Sequence, residues 1–154
     1  MSVVSDTTAI TTLIKASHER LLQELYERVL VPQAVWDELM AFHSKLPKFI
    51  ELHPVVDPDQ RLPGTESLGR GEAEALSLAK QLNARLLLTD DRKARLAAMR
   101  LQIQCIGLVG MVIHAKHRGN ILSVREMLGT LESKGGLYLS DAVVAEAIRL
   151  SGEE

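Results

Sequence analysis

Residues 70–96 read RGEAEALSLAKQLNARLLLTDDRKARL, and this stretch decides the fold. In its first half Ala75, Leu76, Ala79 and Leu82 recur at helical spacing, which predicts a helix. ARLLLTD is a short continuous apolar run ending in acids, the pattern of a buried strand. DRKARLAAMR then returns to helical periodicity. Strands separated by helices imply right-handed crossovers and a parallel sheet covered on both faces.

The alternation extends in both directions. VVSD at 3–6 reads as a short buried strand, TTAITTLIKAS and HERLLQELYER as helices, and RVLV at 28–31 as a second strand. Pro32 stands where a helix begins, the position at which its missing N–H costs least. The helix PQAVWDELMAFH then places Val35, Leu39 and Phe42 on one face. Residues 52–69 carry Pro54, Pro58, Pro63, Gly64 and Gly69 and read as an irregular connection. IQCI is strand-like, and GLVGMVIHAKHRG, SVREMLGTLESKG and SDAVVAEAIRL read as three closing helices. Neither a repeat nor a linker interrupts the pattern. Residues 1–154 are therefore expected to form a single α/β domain with a central, mostly parallel sheet.

Composition narrows the function classes. Of the 154 residues, 46% are hydrophobic and 25% charged, which suits a globular chain. Aromatics are only 3%, so the core must come from Leu, Val, Ile and Ala. No apolar run approaches the roughly 20 residues that span a bilayer, and MSVVSD lacks the basic and apolar regions of a secretory signal. Cys105 is the single cysteine, which excludes an internal disulfide and a Cys-rich zinc site and suits a reducing cytoplasm. The net charge of −2 gives no overall pull toward nucleic acid or membrane. Yet residues 85–125 hold Arg85, Arg92, Lys93, Arg95, Arg100, Lys116, Arg118 and Arg125 against only Asp90 and Asp91. That run is either a set of solvated helix faces or a basic rim suited to a polyanion.

The acids carry the chemistry. Ligands of parallel sheets bind outside the carboxyl ends of the strands. Asp6 ends the first strand there, and Asp90 with Asp91 ends LLLTDD. Glu38 lies three residues after Val35 and four before Phe42, over the apolar stripe of its helix. Glu72 precedes Ala75, Leu76 and Ala79 at helical spacing and shares their stripe, whereas Glu74 falls on a more exposed line with Leu78 and Gln81. Carboxylates held together without Lys or Arg partners repel one another. A hard divalent cation, Mg²⁺ or Mn²⁺, resolves that conflict and can activate water for phosphodiester cleavage. Singly, each acid has a plainer explanation: Asp6, Asp90 or Asp91 as a helix cap, Glu72 at the positive end of its helix.

VVSDTT, VPQAVWDEL and LLLTDDRKAR, with GEAEALSLA before the last and GLVG after it, together resemble a PIN domain. The similarity covers nearly the whole chain and is greatest to a subgroup of prokaryotic proteins related to VapC-like toxins. It implies a three-layer α/β/α fold and a Mg²⁺- or Mn²⁺-dependent ribonuclease site. By the resemblance, Asp6, Glu38, Glu72 and Asp90 are the catalytic, metal-binding acids, with Asp91 adjacent. Thr7, Thr8 and Thr89 become their polar neighbours. Arg92, Lys93 and Arg95 are the first candidates to hold the RNA backbone, Lys116 and Arg118 the next. The third acid is Glu in GEAEA, where most PIN toxins have Asp followed by Ala. Toxins of this type are cytoplasmic, often homodimeric, and held inactive by a small antitoxin. Alternatives from other classes are a non-catalytic RNA- or partner-binding module and a structure-specific DNA nuclease. The filled acid positions favour the ribonuclease.

Other motifs weigh less. Asp141 in LSDAVVAEAI has no later strand to serve and reads as a helix N-terminal residue. GRGEAE lacks the preceding strand and third glycine of a dinucleotide site. His114 and His117 fit a wet helix face, and Trp36 fits packing.

Overall fold

The computed structural model describes residues 2–153. The strands are β1 (Val3–Ser5), β2 (Val29–Val31), β3 (Ile50–Leu52), β4 (Leu86–Leu88) and β5 (Cys105–Ile106). The helices are α1 (Thr7–Lys15), α2 (Arg20–Tyr26), α3 (Gln33–Phe42), α4 (Arg70–Leu82), α5 (Arg92–Arg100), α6 (Leu108–His117), α7 (Val124–Ser133) and α8 (Asp141–Ser151). The sheet runs β3-β2-β1-β4-β5 and every ladder is parallel. At its centre Val3, Val4 and Ser5 stand opposite Leu86, Leu87 and Leu88.

Alternation along the strands divides the core in two. Val4, Leu30 and Leu87 face the alanine-rich surfaces of α4 and α5. Val29, Val31 and Leu88 face the other way, onto Ile10 and Leu13 of α1, Leu22 of α2, and Met111 and Leu128 of α6 and α7. This is the three-layer α/β/α arrangement. Among the described residues no helix is long and apolar enough to cross a membrane.

Three local expectations fail. β3 lies in a stretch that carries no strand signal of its own. It is an edge strand of three residues with Ile50 buried, Glu51 half-buried and Leu52 exposed, so neither an apolar run nor clean alternation marks it. Phe42 does not join Val35 and Leu39 in the core. It is the last residue of α3 and 77% exposed, because nothing covers the final turn. Glu74 is not exposed: α4 is buried nearly all round, and Glu74 is only 3% accessible. Its Oε1 accepts a hydrogen bond from the Ala34 amide (3.1 Å), which otherwise lacks a partner in the first turn of α3. Its Oε2 pairs with Arg70 at 3.0 Å.

Glu74 therefore joins α4 to α3. Glu74→Ala is expected to lower stability by about 2–3 kcal/mol in urea denaturation, since it orphans a buried amide and leaves a void. Arg70→Ala leaves the buried Glu74 carboxylate without its cation and should also lower the transition midpoint, by less than Glu74→Ala because the bond to the Ala34 amide remains.

Candidate active site at the carboxyl edge of the sheet

β1 ends at Ser5, and Asp6 turns the chain into α1. Its backbone is extended (φ −82°, ψ −179°), and Oδ1 accepts from the Ala9 amide at 3.2 Å as the helix cap. Oδ2 accepts from the Thr89 hydroxyl at 2.6 Å, just beyond the end of β4. The Asp6 amide donates to Leu88 O at 3.1 Å, so main chain and side chain both tie the two strand ends together. Asp6 is 5% exposed. Burial pushes its carboxyl from the ordinary 3.8 up to about 6; the Thr89 and Ala9 hydrogen bonds work against that, and the charges of Asp90 and Glu72 add to it.

Asp90 and Asp91 separate cleanly. Asp91 caps α5, its Oδ2 accepting from the Ala94 amide at 2.8 Å, while its own amide donates to the Thr89 hydroxyl at 3.1 Å. Asp91 thus serves as the cap of α5, as Asp6 serves as the cap of α1. Asp90 is the acid turned to the site. Its Oδ2 accepts from the Leu108 amide at 3.2 Å, in the first turn of α6, where the helix dipole favours a negative charge. A Cβ at Gly107 before it would run into Asp90 Oδ1, so a side chain there would have to displace that carboxylate.

Glu38 and Glu72 come from the helical layer. Burial raises the Glu38 carboxyl above its ordinary value, and the negative charges of Glu72 and Glu74 raise it further; the nearby Thr7 hydroxyl acts against them. Glu38 Oε1 lies against α4 where Gly71 has no side chain to displace it. Glu72 sits in the first turn of α4 and repels both Asp6 and Glu38. Among the described residues no Lys or Arg forms an ion pair with Asp6, Glu38, Glu72 or Asp90.

The four acids do not share one pocket, contrary to the sequence-based expectation. Glu38 and Glu72 border a cavity between α1 and α3, whereas Asp90 lines a separate one with Arg92 and Arg95. Among the described residues no three acidic, histidine or cysteine side chains are gathered closely enough to hold a metal ion. Burial, more than mutual repulsion, perturbs Asp6 and Glu38. The donor chemistry nevertheless fits a hard divalent cation: all four ligands are carboxylates without a cationic partner. Thr7 Oγ1 is buried beside Glu38 with no partner in full hydrogen-bond geometry among the described residues, and Gly69, Gly71 and Gly107 leave oxygens of Glu72, Glu38 and Asp90 clear of Cβ atoms.

Of the five basic candidates, three stand near Asp90. Arg92 and Arg95 flank Asp90, and Arg95 also donates to Thr89 O at 3.2 Å; Lys93 is exposed beside them. Lys116 and Arg118 are committed elsewhere. Lys116 pairs with Glu153 at 3.8 Å, and Arg118 donates to Leu25 O at 2.8 Å near the amino end of β2. Thr8 is exposed on α1, and Thr11 and Thr12 line the same cavity. The TTAITT repeat holds that signal, because residues four apart share a helix face. Asp141 is the exposed first residue of α8, capped by Ser140, as its sequence context suggests.

The raised Asp6 carboxyl has a sign that can be measured. The native state holds this proton more tightly than the unfolded chain does, so the group's stabilising effect is full below about pH 4. It is lost as pH rises through about 6. At pH 7 the buried charge costs about 3 kcal/mol. Asp6→Asn keeps a capping oxygen and removes the charge. In chelator-treated protein it should gain about 1–3 kcal/mol over wild type at pH 7, shrinking to nothing near pH 4. An equal effect at both pH values would mean that Asp6 is only a cap.

Comparison with known proteins bears on this arrangement. In structure the chain is similar to a PilT N-terminus domain protein from the hyperthermophilic archaeon Sulfolobus solfataricus P2. The two are 18% identical, with a TM-score of 0.48, over 72% of this chain and 90% of that one. No curated protein matches the sequence. A family model described as PIN domain matches residues 2–153. PIN domains are generally nucleases and typically use divalent metals. With Asp6 and Asp90 ending neighbouring parallel strands and a family model that matches residues 2–153, the chain belongs to the PIN-domain family.

Proposed function

We propose that the chain is a metal-dependent endoribonuclease that cuts single-stranded RNA with Mg²⁺ or Mn²⁺, as the toxin of a toxin–antitoxin pair. The observation that carries this reading is the set of acids without cationic partners at the carboxyl edge of a parallel sheet, two from strand ends and two from helices. A structural cluster of this kind would bring in a Lys or Arg; a functional one leaves room for a cation.

Asp6, Glu38, Glu72 and Asp90 would hold that cation, which when bound supplies positive charge to the phosphodiester and acidifies water. The chain does the positioning. Asp6 is fixed by Thr89 and the first turn of α1, and Asp90 by the first turn of α6, so neither needs to be ordered when substrate arrives. Arg92 and Arg95 stand beside Asp90, where they can hold a phosphate against an otherwise repulsive site. Glu72 has one more methylene than the Asp usual at its position, and its charge is felt by both Asp6 and Glu38. The likeness to toxin-type PIN sequences supports three further parts of the proposal: a cytoplasmic setting, a homodimer, and a small antitoxin as partner.

Two experiments test the reading. Adding Mn²⁺ or Mg²⁺ to chelator-treated protein should raise the melting temperature, and Asp90→Asn should blunt that rise. The same variant should cut single-stranded RNA at least about a hundredfold more slowly, since a few kcal/mol of transition-state charge stabilisation are at stake. Absence of both responses in partner-free protein would favour a non-catalytic module, and cutting of structured DNA alone would favour the DNA nuclease. Replacing Arg92 and Lys93 with Ala should flatten the salt dependence of RNA binding by about 0.7 per lost phosphate contact, with the metal response unchanged.

A further inference from the structure

We propose that the cavity between α1 and α3 is a nucleobase subsite, where Phe42 stacks on a base of the RNA strand whose phosphate lies at the acidic cluster. The proposal rests on the ribonuclease reading and specifies how the substrate is held.

The cavity has a volume of about 660 Å³, room for a nucleoside, and the Gly135–Gly136 turn borders it. Glu38 and Glu72 are in its wall, so it adjoins the acids assigned to the cutting site. Those carboxylates repel phosphate, and Lys15 is the one lysine or arginine among the lining residues. The cavity beside Asp90 has the opposite character, with Arg92 and Arg95 in its wall. A single strand crossing the acids is thereby oriented: backbone toward the arginines, base toward the threonines.

The lining suits a base in detail. A base is flat and apolar on its faces and polar only at its edge. Phe42, 77% exposed at the rim, offers an uncovered ring in a chain with 3% aromatic residues. Single-stranded nucleic acids are bound by stacking of this kind, because every base has a π-face. For the edge there are hydroxyls. Thr8 is exposed and its hydroxyl makes no hydrogen bond to the described residues, and Thr11 Oγ1 lies 3.3 Å from His43 Nε2. The Thr11–His43 pair can both donate and accept, and the second ring nitrogen of His43 has no partner among the described residues.

The test uses short single-stranded RNAs carrying 2-aminopurine at one position, moved along the strand. They are bound to the full chain with Asp90→Asn, which slows cutting, in the presence of Mg²⁺. One position should show quenched fluorescence. Adding Phe42→Ala should abolish that quench and weaken binding about tenfold, with the salt dependence unchanged. Phe42→Trp should restore both. Equal binding and quenching in the Phe42→Ala protein, with an unaltered melting temperature, would overturn the subsite and leave the ribonuclease reading standing. Failure of every RNA to bind even the parent protein would remove the ribonuclease reading and the subsite with it.

Discussion

The hydrogen bond from the Thr89 hydroxyl to Asp6 is the interaction on which the rest of this edge depends. It is short and charge-assisted, and it joins residues 83 positions apart in sequence. Thr89 also accepts from the Asp91 amide, which sets the turn by which Asp91 caps α5. With Asp91 turned to that helix, Asp90 is left to face the first turn of α6. Asp6 meanwhile starts α1, whose threonines line the neighbouring cavity. One hydroxyl between two strands therefore fixes the starts of three helices and the direction of two acids.

The energetics at this edge are those of a site. Parallel strands deliver helix N-termini to their carboxyl side, and N-termini attract carboxylates. That attraction holds Asp6 and Asp90 in place without any cationic side chain. Elsewhere the chain follows the ordinary rule: buried Glu74 has Arg70, and Glu153, which accepts from amides at the start of α7, has Lys116. The contrast between compensated and uncompensated acids sets Asp6 and Asp90 apart from Glu74 and Glu153.

Much of this was legible in the sequence. Strand ends at Asp6 and Asp90, and the helical spacing around Glu38 and Glu72, depend only on periodicity and on the rule for parallel sheets. What was hidden depends on who packs against whom. Glu74 reads as exposed on an isolated helix and becomes buried because α3 lies against it. Phe42 reads as core and is not, because α3 outlasts its cover by a turn. β3 exists only because β2 offers it a partner: the Val29 and His53 amides donate to Phe49 and Val31 across the pair. The string LLLTDD puts Asp90 ahead of Asp91 as the metal acid by the resemblance alone; the structure adds that Asp91 caps α5 while Asp90 faces the first turn of α6.

The pairing of β1 with β4 has a consequence for how the protein is made. These three-residue strands are neighbours in the sheet, yet about half the chain lies between them. Closing a loop of that length costs entropy before any ladder bond is gained, and contacts of high sequence separation slow the folding of parallel sheets. A chain emerging from the ribosome cannot place Thr89 against Asp6 until β4 has been synthesised. Partly folded species are therefore without a formed acidic edge. Assembly of the central strands and acquisition of the nuclease-type site become one event in time.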